Sequence, residues 1–152
     1  MSILTRFLAG MALAAALATG ALADTAAHGS AAEARAMLER AAAALKADQT
    51  QAIASFNKPD GGFRDRDLYV ACFDATTGIV QAHVDPKQLG VDIRTVKING
   101  DPLGQKLFDA AKEGAIATVD YEYPAPGGTA PVAKESFVTR VGNEGCLVGY
   151  YK

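Results

Sequence analysis

Residues 67–83 constrain the fold most, because they have the pattern of two β-strands joined by a tight turn. Residues 68–73 are dense in β-branched, aromatic and thiol side chains, and residues 79–84 are nearly as apolar. Between them, Asp74 supplies a turn-forming carboxylate and Gly78 can adopt a positive φ. The sequence therefore predicts a β-hairpin here, and the residues after it have the pattern of the rest of a sheet.

The first 23 residues resemble a secretory signal peptide rather than a folded element. Arg6 precedes an apolar run at residues 7–17, and Ala21-Leu22-Ala23 is a small-x-small cleavage signal. An uncleaved anchor helix is the alternative, although the uncharged run is shorter than the roughly 20 residues that span a bilayer. We expect cleavage after Ala23, a connector at residues 24–29, and export of the mature protein to the periplasm.

Composition excludes several classes of function. The chain has 152 residues, enough for one ordinary domain, and a formal net charge of −2, which leaves no basic footprint for nucleic acid. With only two His and two Cys, at spacings that do not fit, a zinc site is not expected. The sequence therefore predicts no metal and no cofactor.

A long amphipathic helix is predicted from Ser30 to about Phe56. Ser30 and Glu33 form a capping-box pattern at its start. Apolar residues then recur at three- and four-residue spacings: Met37, Leu38, Ala41, Leu45, Ala52, Ile53 and Phe56. This stripe indicates packing against the sheet, and a dimer contact is the alternative.

The segment after the hairpin predicts a short helical crossover. Residues 84–90 form a loop punctuated by Pro and Gly, and residues 92–96 can form a helical turn. Asp101 followed by Pro102 is a favourable helix start, and Gly114 is a suitable C-cap. We therefore expect a second, short helix between Asp101 and Gly114.

The end of the chain predicts three further strands. Residues 117–123 alternate between apolar and polar, residues 124–131 form a Pro/Gly-rich connection, and strands at 132–141 and 146–151 flank a turn. Strands cluster in the second half while helices lie at the start and in the crossover. This order predicts an α+β fold in which a long N-terminal helix packs on a five-stranded antiparallel sheet.

This order, together with several local stretches, resembles the single Cache domain, the PAS-like extracellular sensor of bacterial chemoreceptors and histidine kinases. The matching stretches are residues 67–74 with 82–83, 86–90, 107–114, 123–124, 131–134 and 149–152. The resemblance covers residues 30–152 and implies a receptor for small carboxylates, amino acids or other metabolites. No membrane helix or kinase follows Lys152 in this sequence, so we expect a free domain that hands over its ligand, meets a membrane partner or has a role unrelated to signalling.

The two cysteines fall in the first and last of these predicted strands. In a PAS-like sheet these strands are expected to be central neighbours, and an exported protein with an even number of cysteines favours a disulfide between Cys72 and Cys146. The alternative is two buried thiols that act as small apolar residues.

Five side chains are candidates for ligand binding: Lys134, Tyr121, Tyr123, His83 and Arg94. Lys134 is on an inner strand beside the Pro/Gly loop, where it can hold a ligand carboxylate as a point charge, or it faces solvent. Tyr121 and Tyr123 share a strand face and line either a pocket or the core. His83 ends a hairpin strand at the expected pocket mouth or is structural, and Arg94 closes over a ligand or is a surface charge.

An enzymatic role is not expected. Cys72 and His83 lie on opposite arms of one hairpin, and no third group stands at a recognisable spacing for a nucleophile and its base. The sequence after residue 23 also lacks a Gly-rich phosphate loop, a nucleophile elbow and a pair of metal-binding histidines.

Two hypotheses of function follow from the sequence. The first is a periplasmic domain that binds and senses a small anionic or zwitterionic metabolite and is linked to signal transduction. The second is a periplasmic interaction partner of a membrane kinase, channel or transporter, without a small-molecule site of its own. A pocket lined by Lys134 and the tyrosines favours the first, and a filled core with a flat apolar patch favours the second.

Overall fold

The computed structural model describes residues 27–152, so the predicted signal peptide and the start of the connector lie outside the described residues. Two helices come first, α1 (Ala31–Ala47) and α2 (Gln49–Phe56). The strands are β1 (Arg64–Asp65), β2 (Leu68–Asp74), β3 (Val80–Ala82), β4 (Ala117–Pro124), β5 (Pro131–Val141) and β6 (Glu144–Tyr151). A third helix, α3 (Leu103–Ala110), lies between β3 and β4.

The prediction of one unbroken helix from Ser30 to Phe56 is wrong at Asp48. The capping box of Ser30 and Glu33 is present at the start of α1. Asp48, however, has extended dihedral angles, and its carboxylate accepts the backbone N–H of Gln51 at 3.0 Å. A short acidic side chain makes a good N-cap, so this residue ends α1 and starts α2.

The predicted α+β architecture is confirmed, with strands in the order β1-β2-β6-β5-β4 and β3 paired with β2. Every strand pairing is antiparallel. The two-residue β1 was not predicted, because a segment this short carries no periodicity. The second hairpin strand is shorter than predicted, since only Val80–Ala82 stays in the ladder.

The sheet has a hydrophobic core on each face. One core joins α1 and α2 to alternate residues of the central strands and includes Met37, Leu38, Phe56, Leu68, Val70, Phe137 and Val148. The stripe predicted for packing on the sheet is therefore in the core, apart from the half-buried Ile53. The other core joins the opposite face to the crossover and includes Phe73, Ile93, Leu103, Leu107, Val138 and Leu147.

The structure joins Cys72 and Cys146 in a disulfide. The two residues are direct partners in the register of β2 and β6, and their Cα atoms are 4.1 Å apart. Both side chains are 1% exposed and belong to the core under α1. The bond therefore links the two central strands on the face away from the crossover.

Asn57 at the end of α2 holds the outer edge of β3. Its Nδ2 donates to the carbonyl of Gln81 at 2.9 Å, and its Oδ1 accepts the backbone N–H of His83 at 3.2 Å. Along the same edge, Val80 exchanges backbone hydrogen bonds with the loop, donating to Val91 and accepting from Gly90, each at 2.9 Å. An amide side chain and a loop thus take the place of another strand.

The crossover helix starts and ends differently from the prediction. Asp101 is not its N-cap, because its carboxylate pairs with the Lys106 ammonium at 2.5 Å while Pro102 occupies the cap position. Gly114 does adopt a positive φ of 72°, but α3 has already ended at Ala110. At Gly104, a Cβ would overlap the carbonyl oxygen of Ile93, so glycine lets α3 pack directly on the 3-10 turn at Ile93–Thr95.

Glu144 is a fully buried carboxyl group at the start of β6. Its Oε1 accepts the Gln49 side-chain amide at 2.8 Å, whereas Oε2 has no partner among residues 27–152. Burial, helped by the charge of Asp74, raises the pKa of Glu144 from 4.5 to about 7.

We expect Glu144→Gln to stabilise the protein at pH 8 and to leave its stability unchanged at pH 4. A raised pKa means that ionisation opposes folding, and this penalty is absent below about pH 4.5 and complete above about pH 7. Urea unfolding should show a gain of about 1–3 kcal/mol at pH 8. The exposed Glu122→Gln is the matched control, and a loss of stability in Glu144→Gln at pH 8 would contradict the expectation.

Candidate ligand-binding site

A cavity of about 340 Å³ lies between the sheet and the crossover. Its apolar wall comes from both elements and includes Phe73, Ile93, Leu103, Leu107 and Leu147. Polar side chains on or next to strands also line it, namely Tyr69, His83, Tyr121, Tyr123 and Lys134, and the segment between β3 and α3 adds Gln88 and Lys97. An apolar cavity with a few convergent polar groups is the usual form of a small-molecule site.

Lys134 is the central charged group of this cavity. It lies on β5 directly between Tyr121 of β4 and Tyr151 of β6 in the strand register, and it is 4% exposed. Its Nζ lies 4.4 Å from the ring centre of Tyr151, 5.4 Å from that of Tyr123 and 5.6 Å from that of Tyr69. No hydrogen bond or ion pair joins Nζ to any residue in 27–152, so its direct contacts are with aromatic faces.

Burial lowers the pKa of Lys134 from 10.5 to about 8, and attraction to Asp67 offsets part of that effect. Asp67 is itself occupied, since its carboxylate accepts Gly29 N–H and contacts His28 Nδ1, each at 2.7 Å. At neutral pH the ammonium is therefore charged but poorly compensated. An anion entering the cavity would supply the missing charge.

Tyr69 and Tyr121 stay neutral and can donate hydrogen bonds. The pKa values of Tyr69 and Tyr121 are raised, mainly because both hydroxyls are buried. The Tyr121 hydroxyl bonds Ser136 Oγ at 2.8 Å, while the Tyr69 hydroxyl has no hydrogen-bond partner in the described part of the chain. Tyr69 therefore offers a free donor beside the ammonium.

His83 lines the cavity with a defined tautomer. Its Nδ1 accepts the backbone N–H of Asp85 at 2.9 Å, which leaves Nε2 as the protonated nitrogen. Burial lowers the pKa of His83, and the charge of Lys134 lowers it further, so the ring is neutral at neutral pH. It can therefore donate from Nε2.

The chain matches the model of the family described as single Cache domain 2 over residues 25–151. It belongs to the single Cache domain 2 family. The resemblance in the sequence is thereby confirmed, and the family is one of sensor domains that lie outside the cell membrane. No curated protein sequence matches the chain.

Solved structures agree with this Cache fold. A methyl-accepting chemotaxis protein from Vibrio parahaemolyticus RIMD 2210633 is 19% identical with a TM-score of 0.63, over 79% of this chain and 86% of that one. A Cache chemosensory domain described for carboxylic acid recognition is 24% identical with a TM-score of 0.57, over 76% and 84%. The periplasmic sensor domain of a chemotaxis protein is 24% identical with a TM-score of 0.55, over 77% and 86%.

The Cache domain brings four of the five sequence candidates together and separates the fifth. Lys134, Tyr121, Tyr123 and His83 all line the cavity, whereas Arg94 does not. The Arg94 guanidinium binds the Asp92 carboxylate through two hydrogen bonds of 2.8 and 2.6 Å and donates to the carbonyl of Thr77. It therefore closes the hairpin turn onto the 3-10 turn rather than facing the cavity.

Two tyrosines around Lys134 were missed in the sequence. Tyr69 lies in a run of apolar residues on β2, where its pattern is that of the core. Tyr151 could have been found, because a turn at Gly142 and Asn143 sets a register that puts Tyr151 opposite Lys134. Across residues 27–152, no three His, Cys, Asp or Glu side chains are grouped to hold a metal ion, and no helix could cross a membrane.

Gly149 keeps the space that Lys134 occupies. A Cβ at this position would lie 2.8 Å from Lys134 Cε, 2.8 Å from Ser136 Oγ and 3.1 Å from the Tyr121 hydroxyl. We expect Gly149→Ala to displace the lysine stem, to lower stability by about 1–3 kcal/mol, and to weaken ligand binding. Urea unfolding and calorimetry measure the two effects.

Gly128→Ala, in the exposed β4–β5 connection and outside the cavity, is the matched control; its Cβ would lie 3.3 Å from the Ala125 carbonyl oxygen, so it should lower stability less than Gly149→Ala and leave ligand affinity unchanged. Normal ligand affinity in a folded Gly149→Ala variant would contradict this expectation.

Proposed function

We propose that this Cache domain binds a small carboxylate, with Lys134 as the counter-charge, and acts as a periplasmic sensor linked to signal transduction. The observation that carries the proposal is the Lys134 ammonium, which is 4% exposed, lines the cavity and has no anionic partner within ion-pair distance in residues 27–152. A buried unpaired charge is costly, and a bound anion removes that cost.

The remaining polar groups suit a carboxylate. The neutral His83 provides an N–H at Nε2, and Tyr69 provides a hydroxyl without another partner among the described residues. Two lone-pair regions of a carboxylate can accept from these donors while its charge lies beside Lys134. The apolar wall at Ile93, Leu103 and Leu107 would contact the carbon chain of the ligand.

Solved structures with a similar fold also support a role in carboxylate sensing. A structural neighbour is a Cache domain described for carboxylic acid recognition, and two others belong to chemotaxis proteins. The cavity favours this function over that of an interaction partner without a small-molecule site. A membrane receptor or kinase that reads the bound state remains the expected partner.

Thermal denaturation with matched ligands tests the proposal. Short-chain carboxylates such as propionate should stabilise the protein, by about 2.7 kcal/mol when the ligand is at 100 times its Kd. The corresponding amides, which have the same shape without the charge, should not. Equal stabilisation by acids and amides, or none across a panel of carboxylates and amino acids, would overturn the proposal.

A further inference from the structure

We propose that Lys134 also binds 2-oxo carboxylates covalently, through a reversible imine between its Nζ and the ketone carbon. The inference rests on the proposed carboxylate-binding function, because attraction of the ligand's carboxylate brings the adjacent carbonyl group to the amine. It adds a bond-forming role to a residue that otherwise acts only as a charge.

The amine is free to react. Most lysine ammonium groups that lie inside a protein are held by a carboxylate or by backbone carbonyls. Here Nζ has neither within the described chain, and its direct contacts are with three tyrosine rings, which do not form imines with ketones. A ligand carbonyl beside it would meet no competing hydrogen bond.

The aromatic surroundings favour an imine over other lysine adducts. A protonated imine keeps the positive charge at nitrogen, and the faces of Tyr69, Tyr123 and Tyr151 stabilise a cation. A carbamate, by contrast, would place a new anion against the negative faces of the same rings. The site therefore selects carbonyl compounds that condense with the amine.

The reaction is balanced without an oxidant or reductant. The Lys134 ammonium loses a proton, and the neutral amine attacks the ketone carbon to give a carbinolamine. The carbinolamine hydroxyl then takes up a proton and leaves as water as the C=N bond forms. Overall, the ammonium and R–CO–COO⁻ give the protonated imine R–C(=NH⁺–)–COO⁻ and one water, so the net charge is unchanged.

Several charged or titratable groups face Nζ. Asp67 attracts the ammonium from the turn before β2, and His83 lies at the end of β3. Tyr69, Tyr123 and Tyr151 surround Nζ, Tyr121 faces it across the β4–β5 pairing, and Lys97 also lines the cavity with an exposed side chain. The lowered pKa of Lys134, about 8, gives it a larger neutral fraction at neutral pH than an exposed lysine has.

Reductive trapping tests the inference. The purified protein is incubated with pyruvate and cyanoborohydride at pH 7.5, and the adduct is located by intact mass and peptide mapping. We expect a single adduct on Lys134, formed at least about tenfold faster than on the exposed Lys58 and Lys87. Its rate should level off above pH 8, whereas the rate at exposed lysines should keep rising toward pH 10.

Controls separate this inference from simple carboxylate binding. Excess propionate should slow trapping on Lys134, Lys58→Arg, an exposed position outside the cavity, should leave it unchanged, and Lys134→Arg should abolish it while keeping a positive charge. If propionate stabilises the protein but pyruvate is trapped only on exposed lysines, the imine is overturned and the proposed function stands. If propionate gives no stabilisation and pyruvate is not trapped on Lys134, both are overturned.

Discussion

Lys134→Met should weaken carboxylate binding by roughly 100-fold or more while making the empty protein more stable. Removing one member of a buried charge pair costs the complex several kcal/mol. In the ligand-free protein, however, the ammonium is 4% exposed and unpaired by any described residue, and methionine fills similar space without that charge. Isothermal calorimetry measures the first effect and urea unfolding the second.

The gain in stability should depend on pH with a definite sign. Because the folded-state pKa of Lys134 is below its ordinary 10.5, its ionisation opposes folding, by up to about 3 kcal/mol below pH 8. This penalty fades between about pH 8 and 10.5, so the variant and the parent should converge there. Lys58→Met, at an exposed position outside the cavity, should show neither effect.

If the Lys134→Met variant folds normally and binds propionate as tightly as the parent, Lys134 is not the counter-charge of the carboxylate. Lower stability of the empty variant at pH 7 would show that the ammonium has a favourable interaction in the ligand-free state.

Removing the disulfide should lower the free energy of unfolding by about 4 kcal/mol. Cys72 and Cys146 are separated by 74 residues, and the bond restricts the unfolded chain over that whole length. Unfolding of the Cys72→Ala, Cys146→Ala double variant in urea, compared with the oxidised parent, measures the loss. The parent in reductant is the matched control and should lose a similar amount.

Both sulfurs are buried on the face covered by α1, so the double variant should also leave two small voids. Cys72 is among the residues that line the cavity, but the side chains of both cysteines pack in the core under α1, so a carboxylate should still bind to whatever fraction remains folded. A loss below about 1 kcal/mol would contradict the chain-entropy account of this bond.

The main features of the fold could be predicted because they depend on local patterns. The alternation of apolar and polar residues at 117–123 identified β4. The apolar stripe from Met37 to Phe56 identified the helical face that packs on the sheet. The break at Asp48 was missed because the same apolar stripe continues from α1 into α2, so periodicity does not report the interruption. The capping role of Asp48 was the available signal.

The candidate site was predictable where strands fix side-chain direction. Lys134 and Tyr121 face each other because of the β4–β5 register, and alternate spacing puts Tyr123 on the same face. Arg94 differs because it lies in an irregular segment, where Asp92 two residues earlier captures its guanidinium. No periodicity could report that local pairing, and the ligand roles of all five residues stay predictions.

The Asn57 side chain has a consequence for self-association. A free strand edge invites pairing with another chain, and β3 would present such an edge. Asn57 instead occupies the backbone groups of Gln81 and His83, and the following loop occupies those of Val80. Asn57→Ala should therefore promote aggregation through β3, even where the fold itself persists.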